Sequence, residues 1–220
     1  MISWRRLNPL TVIASCGAVA ALLGVGVALG WHLHWPLIVH GSAGLPAMKF
    51  NAALCFMLSG VGVALTPASR KRSAALLGAI TALVSGVTLY EYAADAGPGF
   101  DQFLMGDYLT PAMAFPGRMS PLSAACFFLI GIGLVLAQTR VRRAWRVVGV
   151  LACLVGITSV VALGGFLSGI EAAYGWGAYT RMAVHTATGL LLLSLSLLAW
   201  AGEMSRREQF DLRRWRVPSY

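Results

Sequence analysis

Six apolar runs separated by polar or charged segments divide the chain: Leu10–Gly30, Met48–Leu65, Ala74–Tyr92, Pro121–Ala137, Val147–Phe166 and Ala183–Ala201. None carries Lys, Arg, Asp or Glu in its middle. Each reaches or approaches the ~20 residues that a helix needs to cross a bilayer. Where no water can satisfy backbone amides, such runs must be helical. The first run follows Arg5 and Arg6 but is long for a secretory leader, and no small-residue cleavage signal follows it, so it is expected to stay as a helix. The pattern predicts an all-α fold: a polytopic membrane helix bundle of six transmembrane helices over residues 1–202. Residues 203–220 (EMSRREQFDLRRWRVPSY) follow as a basic juxtamembrane tail.

Composition closes off the alternatives. Of 220 residues, 58% are hydrophobic and 11% charged, and the mean hydropathy is +0.73. A soluble domain carries roughly 25% charged residues, so this chain cannot cover its apolar surface in water. The net charge of +9 does not imply nucleic acid, because its distribution has a membrane explanation. Arg5, Arg6, the Arg70–Arg72 cluster, the four arginines between 140 and 146, and every basic residue of 203–220 fall on one side of a six-helix topology. Only Lys49, Arg118 and Arg181 of the 17 remain on the other. Such a bias predicts cytoplasmic N- and C-termini in a bacterial inner membrane. Glu91, Asp95, Asp101, Asp107 and Glu171 then lie outside, most of them in or beside a long loop, 93–118, expected to pack over the bundle as a lid.

The even-numbered helices resemble one another. They begin MKFNAALCFMLSGVGVAL at Met48, MSPLSAACFFLIGIGLVL at Met119 and MAVHTATGLLLLSLSLLA at Met182. Twelve and fourteen residues after each Met stand Gly60 and Gly62, Gly131 and Gly133, and Ser194 and Ser196. Small residues let helix backbones approach in lipid, where van der Waals contact drives association. Two small stripes on one helix predict packing on two sides. The even helices are therefore expected inside the bundle, and the whole is expected to be three hairpin repeats. Cys55 and Cys126 share one repeat position with Gly189 and are read as packing residues.

Chemistry is sparse. There is no Walker loop, HExxH, GxSxG or CxxC, and no acidic pair within a span. No catalytic constellation is expected, so the chain is read as a non-enzyme; any kinase or cyclase output would lie in a longer reading frame or a partner. What remains clusters on the expected outer side. Met48, Met119 and Met182 begin the even helices, with His185 one turn further on, Glu91 at the end of the third helix, and Arg118 and Arg181 beside two of the Met residues. A ligand pocket lined by these residues is the leading expectation, with the arginines available to an anionic group. His32, His34, His40 and His185 share that side; imidazole with thioether suits copper, and paired His suits haem. Interfacial Trp and His rings also belong there with no ligand at all.

The segments GRMSPLSAACFFLIGIGLVLA and YTRMAVHTATGLLLLSLSLLAW, with LVSGVTLYEY before the long loop, resemble the multi-pass N-terminal membrane input region of bacterial sensor histidine kinases and diguanylate cyclases. A looser likeness, through Met182 and His185, is to the triplicated Met-His-Tyr-Thr membrane sensors proposed to bind copper. The resemblance implies a signal-input module sensing a ligand, redox state or bilayer condition near the outer leaflet. It also implies bilayer contacts and a homodimer or membrane partner. The alternative is a subunit of a membrane redox complex that binds haem, copper or quinone or serves structurally.

Overall fold

A computed structural model describes residues 8–214, except 43, 69, 96–98, 112, 114, 177 and 178. Arg5, Arg6, Trp215, Arg216 and Val217 lie outside the described residues. The helices are α1 (Pro9–His32), α2 (Pro36–His40), α3 (Phe50–Leu65), α4 (Lys71–Ala93), α5 (Pro121–Gln138), α6 (Ala144–Ser168) and α7 (Val184–Arg214). Two short 3₁₀ turns, Phe100–Gln102 and Glu171–Ala173, complete the set, and no strand occurs among the described residues. Five helices are long and apolar enough to cross a membrane; α3, with 16 residues, is shorter. Two differences from the hydropathy pattern stand out. The one-turn helix α2 packs back onto α1, and α7 runs unbroken through residue 203, where a separate tail was expected to begin.

Local sequence explains the helix starts. Asn8 Oδ1 accepts the Leu10 amide ahead of Pro9, and Ser120 Oγ accepts the Ser123 amide ahead of Pro121. In both cases a short polar side chain satisfies an orphan donor, and proline supplies a preformed first turn. At the other end of α6, Gly169 adopts the left-handed conformation that stops a helix.

The helices close into a ring in which α1 packs most closely on α3, α4 on α5 and α6 on α7, while α3, α5 and α7 also meet one another at the centre. Burial follows this arrangement. Val147, Val150, Leu154, Ile157 and Val160 of α6 are exposed, as are Val19, Leu22 and Leu29 of α1, whereas the central helices bury Phe56, Phe127, Leu134, Leu190 and Leu193. So broad an apolar exterior fits contact with lipid tails and not with water.

The closest contacts fall at the small residues. A Cβ placed on Gly60 would stand 2.5 Å from the Ala21 nitrogen and 2.7 Å from the Gly17 oxygen. One placed on Gly131 would stand 2.6 Å from the Ala82 nitrogen and 2.7 Å from the Gly78 oxygen. Backbone thus touches backbone in α1–α3 and again in α4–α5. In α6–α7 the corresponding residue, Ser194, gives its hydroxyl proton to the Ala152 carbonyl at 2.8 Å. Two residues further on, Gly62 and Gly133 face the next central helix, meeting Leu134 of α5 and Leu197 of α7 respectively. Ser196 is fully buried and bonds back to the Leu192 carbonyl. Cys55 and Cys126 are buried free thiols, and the space beside Gly189 is filled by the Phe56 ring, which also packs edge-on against Phe127.

Leucine at Gly60 or Gly131 should therefore lower the melting temperature in detergent sharply, since overpacking costs about 1–3 kcal/mol or more where backbone cannot yield. Gly26→Leu is the control, because nothing lies within 4 Å of a Cβ there. Equal melting temperatures for all three variants would refute the close-contact account.

Candidate functional site

At the end where α3, α5 and α7 begin, the three Met residues are buried in one continuous apolar core, each 1% exposed. Their backbones are anchored in related ways. The Met48 amide donates to the Val39 carbonyl and the Met182 amide to the Tyr174 carbonyl, while the Met48 and Met119 carbonyls accept from Trp31 Nε1 and the Tyr92 hydroxyl. This Met end is capped by part of the long loop, of which Met105, Tyr108 and Leu109 rest on the core.

Every basic residue flanking a Met reaches a carboxylate. Lys49 Nζ lies 2.6 Å from Asp107 Oδ2, with the two side chains 3% and 0% exposed. Arg118, wholly buried, places Nε 2.6 Å from Asp101 Oδ2 and Nη2 3.7 Å from Glu91 Oε2. Its guanidinium also lies over the Phe115 and Tyr92 rings, at 4.5 and 5.0 Å. Arg181 pairs with Glu171 at 2.7 Å, but on the surface. Buried charges persist only when paired and hydrogen-bonded, and Lys49 and Arg118 meet that condition. Their charge is therefore spent on the protein's own carboxylates, whereas the sequence had suggested Arg118 for an incoming anion.

The two buried loop carboxylates differ. Burial alone would raise Asp107, but Lys49, the Thr110 hydroxyl and the Thr110 amide outweigh it and hold this carboxyl well below the usual range. The amides of Leu109 and Gly117 complete its shell. Burial pushes Asp101 up to about 6 against the pull of Arg118, and the neighbouring Glu91 adds to the rise. Asn51 Nδ2 points to Asp101 at 3.4 Å, and Asn51 Oδ1 has no partner among the described residues. Asp107 is a locked structural anion. Asp101 is a group poised to change its proton.

His32, His34 and His40 each meet a different group. His32 Nδ1 meets the Ala28 carbonyl, His34 lies against the Tyr108 ring and His40 Nδ1 meets the Leu45 carbonyl. His185 sits beneath Gly41, and neither ring nitrogen has a hydrogen-bond partner among the described residues. Among those residues no three His, Cys, Asp or Glu side chains gather as a metal site. Two clefts are described, one at the opposite, basic end and one on the α4–α5 surface, and neither is lined by Met48, Met119, Met182 or His185.

Lys49, Asn51, Asp101 and Asp107 were absent from the residues that the sequence singled out for a site. The available signal was charge arithmetic: three basic residues on an otherwise acidic side each need an acid. Compared with known proteins, the chain matches no family model, no curated protein and no solved structure.

Asp107→Asn leaves Lys49 buried without its carboxylate and should cost about 3–5 kcal/mol in a stability measurement. Titration separates the two acids. Asp101 binds its proton more tightly folded than unfolded, so its contribution is full below the ordinary Asp range and is lost as pH rises through about 6. Asp107 binds its proton less tightly folded, so its contribution is present above that range and is lost as pH falls below it. Hydrogen exchange of residues 101–118 should therefore quicken between about pH 4 and 6 once intrinsic exchange is corrected for, and Asp101→Asn should abolish that change. An unchanged profile in the variant would dismiss Asp101 as the titrating group.

Proposed function

We propose that the chain is a membrane-embedded signal-input module of a bacterial signal-transduction protein. In this reading it crosses the inner membrane six times as three hairpins, with α3 as the short span, both termini cytoplasmic and the Met end outside. The asymmetry of basic residues supports the orientation, and the pairings α1–α3, α4–α5 and α6–α7 support the hairpin repeat. The similarity of the Arg-Met-Ser-Pro and Arg-Met-x-x-His-Thr segments to sensor-kinase and cyclase input regions supports the functional class.

The observation that carries the reading is the continuity of α7. It runs 31 residues from Val184 to Arg214 without a break, well beyond the ~20 needed to cross, so it leaves the bilayer as rigid helix. The segment leading into it touches the charged network: Arg118 lies over Tyr92, and Tyr92 packs edge-on against Tyr179, which precedes the helix. A change in the charge or occupancy of the Asp101–Arg118–Glu91 group would repack the aromatic cluster from which α7 emerges. A rigid helix can deliver a displacement of about 1–2 Å to its far end, the usual scale of signalling shifts. The redox-subunit alternative draws less support, since His32 and His40 meet backbone carbonyls and His34 meets the Tyr108 ring. A second copy of the chain, or a membrane partner, would receive the movement.

The test uses spin labels at Gln209→Cys and Thr139→Cys in an otherwise cysteine-free chain in lipid nanodiscs; both sites are exposed at the basic end. Asp101→Asn should shift the label-to-label distance distribution by about 2 Å. An identical distribution in both backgrounds would make α7 a passive anchor and defeat the proposal.

A further inference from the structure

The basic end holds a cleft of about 760 Å³ that neither the charged network nor signalling along α7 uses. Its rim is formed by Lys71 at the start of α4, Arg142 and Arg143 in the α5–α6 turn, and Arg207 on α7. Its walls include Trp145 and Trp200, and its deeper surface is apolar, from the first turns of α1 and the end of α5. Four cations face one carboxylate, Glu208, which already accepts the indole proton of Trp145. Among the described residues, Lys71, Arg142 and Arg143 make no ion pair. Arg143 is also held at φ 62°, ψ 17°, a left-handed conformation that costs a non-glycine residue energy and tends to persist where a site needs it.

We propose that this cleft binds the phosphate of an anionic amphiphile, with the headgroup at the Lys71–Arg142–Arg143 rim and the apolar portion against Trp200 and the α1 wall. Three features select that class. Cations without a protein carboxylate are free to meet an anion, and the guanidinium forks of Arg142 and Arg143 match phosphate oxygens. Indoles beside an apolar floor place the site at the depth of the interface between headgroups and tails. The walls come from both α7 and the α5–α6 turn, so an occupant would bridge them. A phospholipid of the adjoining leaflet and a soluble phosphate compound share the headgroup chemistry. Phosphate binding here requires neither a sensory role nor a particular orientation of the bundle.

Native mass spectrometry of the full chain in mild detergent tests this, with phosphatidylglycerol, phosphatidylcholine of the same acyl chains, and inorganic phosphate as probes. Phosphatidylglycerol should be retained over phosphatidylcholine. The triple variant K71Q/R142Q/R143Q should weaken retention about a hundredfold, as ~1 kcal/mol for each of three charges converts. The control triple R70Q/R72Q/R140Q removes the same charge from the same end outside the cleft and should leave retention nearly intact; all six sites are exposed, so both variants keep the fold. Displacement of the lipid by millimolar inorganic phosphate would keep the phosphate site but assign it to a soluble compound. Equal weakening by both triples, or no preference between the lipids, would overturn the proposal.

Discussion

In a bilayer no hydrophobic force draws two apolar helices together, because lipid tails solvate leucine as well as another helix does. What remains is contact, and contact is strongest where side chains do not intervene. Gly17 with Gly60 and Gly78 with Gly131 bring backbones together, and Ser194 closes the third pairing with a hydroxyl on the Ala152 carbonyl. The remaining architecture follows from these junctions. With one stripe of each central helix committed to its outer partner, the next stripe, at Gly62 and Gly133, is left to face a neighbouring central helix. The large side chains Phe56, Phe127 and Leu134 then fill the middle, and the apolar exteriors of α1, α4 and α6 are left for lipid.

The same constraint shapes the polar chemistry. The central helices have no room for charge at mid-depth, and the buried ions gather instead at the Met end, where a loop can fold over them. Lys49 precedes α3 with an ammonium that has no acceptor for the free helix amides, and that ammonium is given to Asp107. Arg118 sits at the start of α5 with two carboxylates and two aromatic faces around it. Two environments a few residues apart thus produce opposite behaviour: the donors around Asp107 hold its carboxyl well below the usual range, whereas burial, with Glu91 adding to it, pushes Asp101 up to about 6. The basic end is organised differently, with its cations around an open cleft and largely without protein carboxylates. One end is electrostatically closed and the other is open to an anion.

The apolar runs were legible because their length and lack of charge leave no other physical solution, and the closest helix contacts lie at small residues visible as stripes. The extent of α7 was not legible in the same way. Hydropathy falls sharply after Ala201, yet Glu203, which pairs with Arg206 and Arg207 one turn on, helps the helix to continue through the charged stretch. The short helix α2 carries too little periodicity to announce itself. Lys49 and Asp107 are 58 residues apart, so their pairing depends on the long-range return of the segment that carries Asp107, which no local pattern encodes. The histidines share one end of the bundle, yet His32 and His40 meet nearby backbone carbonyls, His34 meets the Tyr108 ring, and His185 has no hydrogen-bond partner among the described residues.

In the proposed orientation the bundle presents its buried charge network to the outside and its basic cleft to the cytoplasm. The most direct measurement is labelling of single cysteines in intact bacterial cells with a membrane-impermeant maleimide, in an otherwise cysteine-free chain. A cysteine replacing Gly99, at the start of the loop over the Met end, should be modified. One replacing Arg140, between α5 and α6, should react only after the membrane is permeabilised. Modification of the second and protection of the first would contradict the orientation and reverse the sides on which the network and the cleft operate.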